Sequence, residues 1–218
     1  MKLLKQNPER AFRQQAGMKS LQKTPWMWVP TLYIAEGLPN VLVTIVAATM
    51  FMEFGMTDSR IAFYIGWLSL PWIIKPFWSP FVDLYRTKRW WVLSMEALIA
   101  SAFAGVAFVL PYGFWFQAVM CLLLLIAFSS ATHDIAADGF YMIELDQHHQ
   151  TLFVGIRNTF YRLAVIFGKG VLIPVAGLLQ EVFPSRTAFT WSLVFYGLAG
   201  LFLAIWLYHC YKIGRAHV

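Results

Sequence analysis

The stretch Trp67-Leu68-Ser69-Leu70-Pro71-Trp72-Ile73-Ile74-Lys75-Pro76-Phe77-Trp78-Ser79-Pro80-Phe81-Val82-Asp83 decides the fold. Its flanks are long apolar runs, yet it holds a lysine, an aspartate and three prolines. A charge at the centre of a bilayer costs about 3 kcal/mol on insertion scales. Proline removes a backbone donor and kinks a helix. Residues of this kind inside an apolar run need a reason, and a pathway-lining helix supplies one. On a continuous helix, Lys75 and Asp83 stand about 12 Å apart along the axis. That puts the lysine well inside the bilayer and the aspartate near its edge, before a basic loop with Arg86, Lys88 and Arg89.

The rest of the chain agrees. Hydrophobic residues make up 59% and charged residues 13%, against about 25% charged in soluble domains. Mean hydropathy is +0.59. The length suits about six spans of ~20 residues with short loops. The net charge of +6 does not signal nucleic acid, because the basic residues gather at the ends of apolar runs, where they orient a membrane protein. Cys121 and Cys210 fall within apolar runs and read as small buried hydrophobes. Residues 1–24 form a basic tail without an apolar signal core.

Six spans are expected, over about residues 25–52, 60–84, 90–110, 114–141, 152–179 and 187–208, making residues 25–212 one bundle. With the N-terminus inside, the inner segments carry nine Lys and Arg and the outer ones two, Arg60 and Arg186. The positive-inside rule therefore places both termini in the cytoplasm. Ile213-Gly214-Arg215-Ala216-His217-Val218 resembles a translated sequencing adapter. Residues 213–218 read as an assembly scar, the alternative being a short natural basic tail.

Asp134 and Asp138 are spaced i, i+4 and share a helix face with Tyr141. Two carboxylates so close repel, so one holds a proton unless a cation lies nearby. That pattern suits proton binding; the alternative is an ionised pair at the cytoplasmic end, matched by the region of Arg157 and Arg162. Glu36 stands mid-span in Glu36-Gly37-Leu38-Pro39, and an interrupted helix at membrane depth marks transport sites. Glu96 lies nearer an interface. His133 points about 100° away from Asp134 and reads as an interface histidine. Lys75, Arg162 and Lys169 are intramembrane cations. They either pair with Glu36 and Asp134 or bind an anionic substrate. Trp78 and its neighbours Trp67 and Trp72 pack, or stack on sugar rings. No phosphate loop, metal-ligand cluster or nucleophile motif is present, so neither an enzyme nor a cofactor is expected.

Ser79-Pro80-Phe81-Val82-Asp83-Leu84-Tyr85-Arg86-Thr87-Lys88-Arg89 resembles the loop between the second and third helices of the major facilitator superfamily. It departs from that pattern at Ser79 and Leu84. Together with Glu36-Gly37-Leu38-Pro39, Lys75-Pro76-Phe77-Trp78-Ser79-Pro80, and His133-Asp134-Ile135 with Asp138, the chain resembles the AmpG-like muropeptide permeases and the related acetyl-coenzyme A transporter branch. Glutamine is usual in AmpG-like members where His133 stands. The resemblance implies an all-α integral membrane protein, the N-terminal six-helix half of a twelve-helix transporter. It implies proton-driven uptake of anhydro-muropeptides across the bacterial cytoplasmic membrane, and a C-terminal half without which this chain does not transport. It makes Asp134 and Asp138 the coupling candidates, to which Glu36 is added, and it gives Asp83 a gate-loop role beside Arg86, Lys88 and Arg89. Lys75, Arg162, Lys169 and Trp78 are the substrate candidates. A permease for another organic anion, such as an acyl-coenzyme A, and a membrane scaffold without a substrate are the alternatives.

Overall fold

The computed structural model describes residues 25–213, and those residues are helical with no strand among them. The basic tail (1–24) and residues 214–218 of the suspected scar lie outside the described residues. The first span is α1 (Pro25–Val41), a π-helical turn at Leu42–Val46, and α2 (Ala47–Glu53). Proline opens it, where a missing N–H costs nothing. The link to the next helix turns at Gly55, whose φ of 81° suits glycine.

The second element departs from the expected single helix. α3 (Asp58–Ile74) stops at the organising stretch, a 3₁₀ turn covers Lys75–Phe77, and α4 (Ser79–Leu84) follows. Pro76 and Pro80 cannot donate to the preceding turn, so the i→i−4 ladder fails there. Among the described residues, five helices are long and apolar enough to cross a membrane, and this broken element is not among them. Of the six expected spans, the second is thus the interrupted one. Lys75 and Asp83 also no longer share one straight helix.

The other four are α5 (Lys88–Val109), α6 (Trp115–Glu144), α7 (Gln147–Phe167) continued through a π turn at Gly168–Leu172 into α8 (Ile173–Val182), and α9 (Thr187–Lys212). Thr87 caps α5 by accepting the Trp90 N–H at 3.2 Å, and Asp146 caps α7 by accepting the His149 N–H at 2.8 Å. That backbone N–H, with the His149 ring, holds the exposed Asp146 carboxyl below its ordinary range.

α5 packs against α6 and α9, and α1 packs against α7. Gly37 allows the second approach: a Cβ there would lie 2.9 Å from Ala164 Cβ and 3.0 Å from the Tyr161 carbonyl oxygen. The main core joins Leu42, Met50 and Phe51 to Phe103, Leu123, Trp191, Phe195 and Phe202. A second core gathers Trp28, Val29, Tyr33, Val92, Phe140 and Phe153. The first span is 67% buried over its apolar window, whereas α7–α8 is 22% buried, so α7–α8 turns most of its apolar surface outward. Cys121 also faces outward, contrary to its expected burial, and both cysteines are free thiols.

Candidate functional site

Four elements converge on one charged cluster. The break after Ile74 aims Lys75 at α6, where its ammonium pairs with Asp134. One turn further along α6, Asp138 accepts from the Arg157 guanidinium of α7 at 2.7 Å and from the Tyr33 hydroxyl of α1 at 3.0 Å. Arg157 also lies over the rings of Tyr33 and Tyr141, at 4.7 and 5.3 Å. Glu36 reaches the cluster from α1, where Asp134, Asp138 and Arg157 are the charged groups that act on it. Glu36 is 9% exposed, and its Oε2 finds no hydrogen-bond partner among the described residues.

The two aspartates therefore each have a cation, the alternative left open by their spacing. Glu36 does not. Three carboxylates (Glu36, Asp134, Asp138) meet two cations (Lys75, Arg157). Arg162 and Lys169 do not take part. Both are exposed on α7 and the π turn that follows it, and neither forms an ion pair or hydrogen bond among the described residues. The pairing of these two cations with Glu36 and Asp134, one of the two sequence expectations, is not what the structure holds. Trp78 packs against Phe128 with ring centroids 5.4 Å apart and planes tilted by 41°, and its buried indole N–H has no partner among the described residues. An open cleft of about 530 Å³ adjoins the cluster, lined by Asp138, Arg157, Tyr141, Gln147 and Gln150 among others.

The basic loop divides its labour. Lys88 pairs with Asp83 and donates to the Val82 carbonyl at 3.2 Å. Its aliphatic stem crosses Gly139, where a Cβ would lie 2.8 Å from Lys88 Cε. Arg86 turns the chain with a φ of 65° and lies over Trp90 at 5.7 Å. Arg89 leaves the loop altogether. It donates to the carbonyls of Cys210 and Ile213, both at 2.9 Å, and so caps the end of α9.

A second polar cluster lies in the sealed interior. Glu96 of α5, His133 of α6 and His209 of α9 are each fully buried. Glu96 Oε1 receives His133 Nε2 at 3.2 Å and His209 Nδ1 at 2.6 Å. His209 Nε2 meets Thr31 Oγ1 of α1 at 2.8 Å. Sequence reasoning found Glu96 and His133 separately but missed His209, Tyr33 and the central part of Arg157. A histidine inside the apolar run of α9 was the available signal for the first.

The geometry defines a multi-pass membrane protein with an ionisable interior. Residues 35–215 match the BT1 family, and the chain belongs to that family. Among curated relatives, an uncharacterized protein of Haemophilus influenzae is 31% identical over 79% of this chain and 40% of its own length. A putative transporter AmpG 4 of Rickettsia conorii is 28% identical over 79% of this chain and 41% of its own. The anhydromuropeptide permease of Escherichia coli K12 is 27% identical over 66% of this chain and 30% of its own. The AmpG-like resemblance carried by the sequence motifs is borne out. The chain spans about two fifths or less of the length of these relatives. No solved structure matches.

Proposed function

We propose that this chain is the N-terminal half of a proton-coupled secondary transporter of the bacterial cytoplasmic membrane, with the N-terminus inside and anhydro-muropeptides as cargo. The observation that carries the coupling is the odd carboxylate. With three acids against two cations, one bound proton brings the cluster to neutrality, and its loss leaves an excess charge in a low-dielectric interior. The two states favour different placements of Lys75 and Arg157, which is what a coupled rocking movement requires. The cargo reading rests on the names of the relatives and on the unpaired Arg162 and Lys169, which suit a carboxylate-bearing cargo. Lys75 and Trp78 line the same route, and the Asp83–Lys88 pair serves the gate loop beside Arg86. The missing C-terminal half completes the path.

The test uses the complete gene product in proteoliposomes, measuring uptake of labelled anhydro-muropeptide with and without an inward proton gradient. Gradient-driven uptake is expected, and Asp134→Asn should abolish the dependence on the gradient. Unpaired cations would also accept an acyl-coenzyme A, so competition between the two compounds decides the cargo. Folded protein without uptake of either removes both cargo assignments and leaves a transporter of another substrate.

A further inference from the structure

A second open cleft, of about 370 Å³, lies where the start of α5 meets the last turns of α9. Its polar lining is Thr87, Arg89 and Ser94, and its apolar lining includes Trp90, Leu93, Ala97 and Trp206. The polar residues have hydrogens to give. Arg89 spends two N–H groups on the carbonyls of Cys210 and Ile213. A guanidinium carries five, and the others have no partner among the described residues. Ser69, Ser101 and Ser192 turn their hydroxyls back onto the carbonyl four residues earlier. Ser94 makes no such bond. Thr87 accepts from the Trp90 N–H and keeps its own hydrogen free.

No carboxylate lines this cleft. Asp83 is engaged by Lys88, and Glu96 by His133 and His209 in the sealed cluster. Arg86 adds a second charge at the rim, because its guanidinium lies over the Trp90 ring at 5.7 Å. Free donors beside positive charge, without an acid, suit an anion. The apolar lining adds a further requirement. Arg89 and Ala97 are about 12 Å apart along the helix, so the cleft runs from the membrane edge toward the hydrocarbon. Trp90, which is 44% exposed, and Trp206 mark the headgroup boundary. The small side chain of Ala97 leaves the trough open beneath them.

We propose that this cleft binds one anionic phospholipid, with its phosphate on Arg89, Ser94 and Thr87 and an acyl chain along Leu93, Ala97 and Trp206. Basic pockets between spanning helices hold acidic headgroups by the same chemistry. The site is separate from the Asp134 cluster and does not rest on the transport reading. A zwitterionic lipid would bring its ammonium against Arg86 and Arg89, so it binds more weakly. Because Arg89 also caps α9, the lipid phosphate is tied through one guanidinium to the end of that helix.

The test is native mass spectrometry of the complete gene product, stripped of lipid in detergent. It is titrated with phosphatidylglycerol and with phosphatidylethanolamine of the same chains. One saturable phosphatidylglycerol is expected, held more tightly than phosphatidylethanolamine and not displaced by soluble glycerol phosphate. Arg86→Gln, which leaves the α9 cap intact, should weaken phosphatidylglycerol about fivefold, the loss expected for one basic residue near an acidic lipid. Ala97→Phe fills the trough and should weaken it with both arginines in place. Equal retention of the two lipids, or retention unchanged in both variants, overturns the site. Displacement by glycerol phosphate at equal concentration also overturns it, leaving a site for a free anion.

Discussion

The two polar clusters meet α6 on different faces, about 100° apart, and are built on different principles. In the Asp134 cluster, each ion pair keeps some contact with the outside. The Lys75 and Asp134 side chains are 35% and 13% exposed, and those of Arg157 and Asp138 are 26% and 36% exposed. Acids outnumber bases there. In the Glu96 cluster every ionisable side chain is fully buried, and one carboxylate oxygen is shared by two histidine rings. The first can exchange ions and partners with its cleft. The second can change only if helices part. Solvent access, rather than the kind of residue, sets which acid is free to work and which acid is structural.

The largest effect that would sharpen this contrast is on stability. Glu96→Leu leaves the facing ring nitrogens of His133 and His209 buried without their shared partner, and each buried polar group left unsatisfied costs about 1–3 kcal/mol. Asp134→Asn removes one partner of a pair that keeps partial solvent contact, where the cost is about 1 kcal/mol or less. Thermal unfolding of the two variants in detergent should therefore rank Glu96→Leu far below Asp134→Asn. Equal losses would mean that the Asp134 pair is a structural bridge of the same kind.

Much of this was legible in the sequence, and the limits have physical causes. The membrane class followed from apolar runs that leave no other home for the chain. Asp134 and Asp138 were legible because i, i+4 spacing fixes a shared face, whatever the tertiary structure. The break at Lys75 was signalled by Pro76 and Pro80, though its consequence was understated, since the structure ends α3 where a kinked continuous helix was expected. Pairing was not legible. Nothing local to Arg157 says that it meets Asp138 while Arg162, a turn away, meets nothing. Only the close approach of α1 to α7 decides that. Arg89 likewise sits in a basic loop by sequence and caps α9 by topology. His209 was hidden because a single histidine near a helix end looks like an interface residue until three other helices are placed around it.

A middle-sized effect tests the approach that assembles the open cluster. In Gly37→Ala, the new methyl would stand 2.9 Å from Ala164 Cβ and 3.0 Å from the Tyr161 carbonyl oxygen. Alanine favours a helix over glycine by about 1 kcal/mol, but overpacking typically costs about 1–3 kcal/mol, so α1 and α7 are pushed apart at a net loss. Ala164→Gly in the same chain should recover only part of that loss, because the Tyr161 contact is to backbone and cannot be trimmed. Complete recovery would show that the side-chain contact alone sets the spacing. Since Glu36 and Tyr33 stand on α1 and Arg157 on α7, the single variant should also weaken gradient-driven uptake. The sealed cluster, whose ionisable members lie on α5, α6 and α9, should keep its histidine spectrum.

The smallest effect lies where α9 ends. Arg89→Gln shortens the side chain and removes two hydrogen bonds from the carbonyls of Cys210 and Ile213, each worth about 0.5–1.5 kcal/mol net. A helix end left with orphan carbonyls frays, so amide exchange should quicken over residues 210–213 with little change in the midpoint of global unfolding. His209 is one residue from that frayed turn. If its tie to Thr31 and Glu96 holds the helix independently, exchange at His209 itself stays slow, and the fraying stops at Cys210. If exchange quickens through His209, the arginine cap and the buried cluster are parts of one joint. Disruption at the surface would then reach the interior along α9.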